Sequence, residues 1–199
     1  MPIPLFNRLI TLSVVFFVLG VLAFLGARYT ESELLLQLGI LFIVLAAIGA
    51  ALHTIRTREE PVSLGEEGTI IGYLTGTQAV LSGLSHLILG LAVLIVVVAW
   101  ILGQGKPLMD WTKENSGVIA LVPGVWLFTH SLSVIIGKAL SSVGQIAQTK
   151  VDGAMIWLNV ILEKAINVIL CLVGLVLICV GCISLISGRG ALEMVLGIL

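Results

Sequence analysis

Charge is what this sequence has least of. Only 11% of its residues are Asp, Glu, Lys or Arg, where a water-soluble domain carries about 25%. Most of the chain therefore cannot face water. The formal net charge of −1 gives no long-range field for an acidic partner, and no nucleic-acid partner is expected. Cysteine is nearly as scarce. Cys171, Cys179 and Cys182 fall in one apolar run, where a C-x-x-C has no second pair with which to build a metal site. The thiols are expected to be buried and to act as small hydrophobes. Catalytic signatures are missing too: there is no G-x-S-x-G, H-E-x-x-H, phosphate-binding loop or pair of intramembrane carboxylates. No catalytic residue is assigned.

What is present is apolar length. Hydrophobic residues make up 59% of the 199, and the mean hydropathy is +1.20. Leu9–Ala27 is an uncharged run of 19 residues between Arg8 and Arg28, long enough to cross about 30 Å of hydrocarbon. A cleavable leader has a shorter apolar region and small residues before the cut. Phe24 and Leu25 stand where those would be needed, so a retained span is expected. A short link leads to Leu34–Ile55, and so brief a connection specifies an antiparallel pair.

Beyond it, Gly68–Gly105 forms 38 residues without one Asp, Glu, Lys or Arg. Its glycines fall at Gly68, Gly72 and Gly76, then at Gly83 and Gly90. On a helix these share one face with Ala79 and His86. A face without bulk allows close approach of another helix, a main route to association in lipid. Ser63-Leu64-Gly65-Glu66 fits a capping box, which predicts a helix over 64–103. At about 1.5 Å per residue that is about 60 Å, twice the hydrocarbon thickness.

Two later stripes repeat the seven-residue step. Pro123, His130, Gly137 and Gly144 form one, and Pro123 should kink its helix or mark the start. Asn167, Gly174, Gly181 and Gly188 form the other, which bulky Val160 interrupts one step earlier. The packing residues are therefore Gly68, Gly72, Gly76, Gly83, Gly90, Gly137, Gly144, Asn167, Gly174, Gly181 and Gly188.

The expected fold is an all-α membrane protein forming a single domain over 1–199. It has about five spans, near 9–27, 34–55, 77–103, 116–137 and 165–188, with polar loops at 56–67 and 104–115. The last three helices should be long and project beyond the bilayer on the cytoplasmic side over about 64–76, 138–150 and 153–164. Lys and Arg divide six against four in favour of a cytoplasmic N-terminus, in a membrane of the bacterial inner type.

One constellation carries chemistry. His86 and His130 fall at matching depths on neighbouring spans, each on a small-residue stripe. Such a pair can hold a b-type haem, bind a quinone or relay protons. It can equally satisfy local hydrogen bonds to Ser85, Ser131 or Ser133. His53 is expected to be solvated at the interface, and Glu163–Lys164 to be solvated or intersubunit. Three functions follow. The first is a non-catalytic subunit, without cofactor, that packs through its glycine faces with copies of itself or with other membrane proteins. The second is a small ion or proton channel. The third is a haem b or quinone anchor using His86 and His130.

Overall fold

A computed structural model describes residues 5–64, 69–137 and 153–188. The chain is an all-α membrane protein. Its elements are α1 (Leu5–Thr30), α2 (Glu33–Thr57), β1 (Glu59–Leu64), β2 (Thr69–Thr75), α3 (Thr77–Ile101), α4 (Gly105–Glu114), α5 (Ser116–Ile136) and α6 (Gly153–Ser187). Among the described residues five helices are long and apolar enough to cross a membrane: α1, α2, α3, α5 and α6.

The spans form a single row. α1 packs on α2, α2 on α3, α3 on α5, and α5 on α6, and no other two spans pack along one another among the described residues. Each seam is antiparallel. Between α1 and α2, Gly20 and Gly39 each approach the other's carbonyl oxygen, and the rings of Phe16 and Phe42 stack 5.9 Å apart. Between α2 and α3, a Cβ on Gly83 would come 3.0 Å from the Ala51 carbonyl oxygen, and one on Gly90 would come 2.8 Å from Ile48 Cγ1. Between α5 and α6, Gly117 faces Gly181 and Gly124 faces Gly174. Continued by seven residues, that register brings Ser131 opposite Asn167. Glycine-lined contacts are how membrane helices gain dispersion energy without a hydrophobic drive, since lipid is as apolar as leucine.

The helix predicted over 64–103 is corrected. Residues 59–64 and 69–75 form an antiparallel hairpin, with Glu60 opposite Leu74 and Ser63 opposite Ile70, and with an irregularity between Val62 and Ser63. The capping box at Ser63 is therefore no helix start. Pro61 removes a helical donor, and Thr69, Ile70, Ile71, Tyr73 and Thr75 are β-branched or aromatic residues that favour strand. Both ends of the hairpin are defined by backbone geometry. Arg58 closes α2 in the left-handed region (φ 57°), its N–H donating to the Thr54 carbonyl, and Gly76 takes φ 65° before α3. The Gly76 N–H then donates to the Arg58 carbonyl at 2.8 Å. A side chain would strain that turn, whereas glycine adopts it freely.

With the hairpin in place α3 has 25 residues, about 37 Å, and does not overshoot. The 35-residue α6 does, at about 52 Å, since 153–164 continue the helix. The overshoot expected at 138–150 lies outside the described residues. The loop expected at 104–115 contains α4, which Gly103 (φ 68°) separates from α3 and Asn115 from α5. Pro123 lies inside α5 and does not start it.

Candidate functional site

The expected glycine faces separate into three groups. Gly83, Gly90, Gly174 and Gly181 lie in helix seams, all within this chain. Gly72 is in β2, Gly76 is the turn before α3, and Gly188, at φ 65°, follows the end of α6. A Cβ on Gly76 or Gly188 would meet nothing within 4 Å, so the four-residue stripe through Gly72 and Gly76 is not a helix face. Gly68 and Gly144 lie outside the described residues. Gly137, just past α5, makes room for the side chain of Gln78, which a Cβ there would overlap. Asn167 is buried in α6, and its Nδ2 donates to the Glu163 carbonyl at 2.8 Å.

The seams that sequence reasoning missed are Gly20–Gly39 and the Gly117–Gly124 face of α5. The signal was present: Gly117, Gly124 and Ser131 are also seven apart. Gly117 and Gly124 turn toward α6, while His130 and Gly137 turn toward α3.

Three side chains from three elements converge beside the α3–α5 seam. The rings of His86 and His130 are 6.4 Å apart and edge-on at 79°. On its other side the His130 ring stacks on Trp126 at 6.0 Å and 18°, one helical turn away at the i−4 position that membrane-spanning residues share as a face. The third member is Glu60 of β1. Its Oε1 lies 4.0 Å from His86 Nδ1, too long for a hydrogen bond and an ion pair only when His86 carries a proton. The sequence could not have nominated Glu60, because only the hairpin turns it back onto α3.

This cluster is half open. The side chain of His86 is 50% exposed and that of Glu60 23%. Glu60 Oε2 and His130 Nδ1 are nonetheless buried and have no hydrogen-bond partner among the described residues, as does the hydroxyl of fully buried Ser131. Two of the three nearby serines that were expected to serve the imidazoles are engaged locally. Ser85 donates to the Ser82 carbonyl and Ser133 to the His130 carbonyl, both at 2.7 Å. An open polar cleft of about 480 Å³, lined by Thr75, Thr77, Gln78, Ile136 and Gly137, lies at the same end of α3 and α5.

Other expectations shift. Cys179 and Cys182 are exposed on α6 and Cys171 is half-buried, so the thiols are not packed in a protein core. That is a correction, and its cause is that, among the described residues, α6 packs along α5 alone. His53 is half-buried. Lys164 Nζ donates to the Ile135 carbonyl at 3.4 Å, placing a cation on the last turn of α5, where carbonyls lack helical partners.

Among the described residues no group of three or more His, Cys, Asp or Glu is placed to hold a metal ion. The cluster is a carboxylate and two imidazoles, with Glu60 beside His86 and His86 edge-on to His130. No protein-family model, curated protein or solved structure matches the chain.

Proposed function

We propose that the chain is a non-catalytic multi-pass subunit of a larger membrane assembly, built with copies of itself or with another membrane protein. The observation that carries this reading is the half-exposed His86 beside Glu60. Ionisable groups within spans face protein or water-filled cavities and avoid hydrocarbon, so a second protein surface over this side of the row accounts for the exposed side of His86. The glycine seams take a different role from the one read in sequence. They join neighbouring helices of one chain and leave intersubunit contact to the faces of the row.

The test is the mass of the particle extracted with native lipid into nanodiscs. The proposed assembly gives particles holding more protein than one 21.1 kDa chain; particles with a single chain and no partner reject it. A second reading, a proton pathway, is supported by the order Glu60, His86, His130 from the hairpin into the helices. Proton flux into liposomes that falls on Glu60→Gln and His86→Gln supports it, and flux equal to that of empty liposomes removes it.

A further inference from the structure

We propose that α4 is a membrane-surface helix whose ligand is the headgroup–acyl boundary of the bilayer itself, irrespective of lipid charge. The two helices it joins, α3 and α5, both span, so Gly105–Glu114 lies where the chain leaves and re-enters the membrane. Its ten residues divide into two faces at 100° per residue. Lys106, Asp110, Lys113 and Glu114 occupy one, and Pro107, Leu108, Trp111 and Thr112 the other, with Met109 at the margin. Nothing in α4 is buried, and Met109 and Trp111 are 60% and 48% exposed. Leu102 and Trp100, at the end of α3, are exposed beside them.

Water is a poor environment for that set of side chains, and among the described residues no other element buries them. The helix is also turned away from its neighbours at both ends, by Gly103 with its positive φ and by non-helical Asn115. Asn115 Nδ2 fixes the second corner by donating to the Trp111 carbonyl at 2.9 Å. A short helix with an apolar face, a charged face and tryptophan at its edge is the pattern of segments that lie in the interfacial plane. The charged face holds two cations and two anions, and Lys113 Nζ is 3.5 Å from Asp110 Oδ1. It therefore has no net attraction for anionic headgroups, which separates this surface from the basic helices that select them.

The experiment uses full-length chain in nanodiscs of zwitterionic lipid, and again with one-third anionic lipid. Nitroxide labels are placed at Leu108→Cys, on the apolar face, and at Lys113→Cys, about 140° away on the charged face, after Cys171, Cys179 and Cys182 are changed to alanine. Collisions with oxygen and with a soluble nickel chelate read depth. The expected result is a Leu108 label at least threefold more accessible to oxygen than to nickel, the reverse at Lys113, and no change with lipid charge. Both labels open to nickel would overturn the proposal, as would both being shielded from either reagent, which means a protein covers α4. Strengthening with anionic lipid refutes the charge-independent part. If the cysteine-free chain does not insert, the native chain is compared with Trp111→Phe in brominated-chain lipid. Loss of a quenched emission component on that substitution is expected, and an unchanged quenched fraction overturns the proposal.

Discussion

A Cβ placed on Gly117 would stand 2.6 Å from the Gly181 carbonyl oxygen, and one placed on Gly181 would stand 2.7 Å from the Gly117 carbonyl oxygen. Seven residues along, Gly124 and Gly174 repeat the relation at 3.1 and 2.9 Å. Backbone meets backbone at both layers, so no side chain can rotate out of the way. Gly124→Leu or Gly174→Leu should therefore lower stability by about 1–3 kcal/mol or more, the usual range for overpacking. Gly105→Ala, where a Cβ meets nothing within 4 Å, is the control and should cost little. Unfolding in mixed detergent micelles, followed by circular dichroism, measures the difference. Equal stability of Gly124→Leu and the parent means α5 and α6 do not meet along this face.

Gln78 and Gly137 make a second, separable prediction. The buried Gln78 side chain occupies the space that a Cβ on Gly137 would take. Gly137→Ala alone should destabilise by about 1 kcal/mol or more. In a Gln78→Ala background the same change should cost measurably less, because the obstructing amide is gone. Their coupling energy, read from the double-mutant cycle, is expected at about 0.5 kcal/mol or above. Strict additivity would place the two groups apart.

Topology is directly accessible. The hairpin follows α2 and the α4 segment follows α3, so Glu59 and Lys113 are separated by one span. Glu59→Cys and Lys113→Cys should label from opposite sides with an impermeant thiol reagent, tested with the native cysteines replaced. By the six-against-four division of Lys and Arg, the expected result is labelling of Lys113→Cys from outside. Labelling of Glu59→Cys from outside in intact cells reverses the assignment, and labelling of both breaks the five-span arrangement.

The histidine pair gives the fourth. If His86 and His130 serve the subunit as polar contacts or proton carriers, the purified protein has no Soret band, and His86→Gln and His130→Gln assemble as the parent does. A b-type haem spectrum that either substitution abolishes would make the pair a cofactor site.

Much of the architecture was legible in the sequence because span length and charge exclusion are set by the bilayer. Leu34–Ile55 and Gly117–Gly137 needed nothing more than counting. The hairpin was not legible for a physical reason. Gly68, Gly72 and Gly76 are spaced as a helical face would space them, and glycine has no side chain with which to show another preference. The strand preference lay in Ile70, Ile71, Tyr73 and Thr75, and a period counted on glycine alone cannot register it. The site was half legible. His86 and His130 could be matched by depth along antiparallel helices, whereas Glu60 joins them only through a chain reversal that no local spacing encodes. Which of two glycine faces on α5 meets which neighbour also depends on the order of helices in the row, and each face taken alone reads the same.

That row has a consequence for biogenesis. Every span packs on a predecessor that has already left the ribosome, and no seam waits for a distant segment to close it. Packing can therefore keep pace with synthesis, as in chains whose early portions fold first. α1 alone must wait, and only for the residues that make α2. Chains truncated after Thr57 or after Glu114 should then insert as protease-resistant intermediates, each holding the seams that it contains.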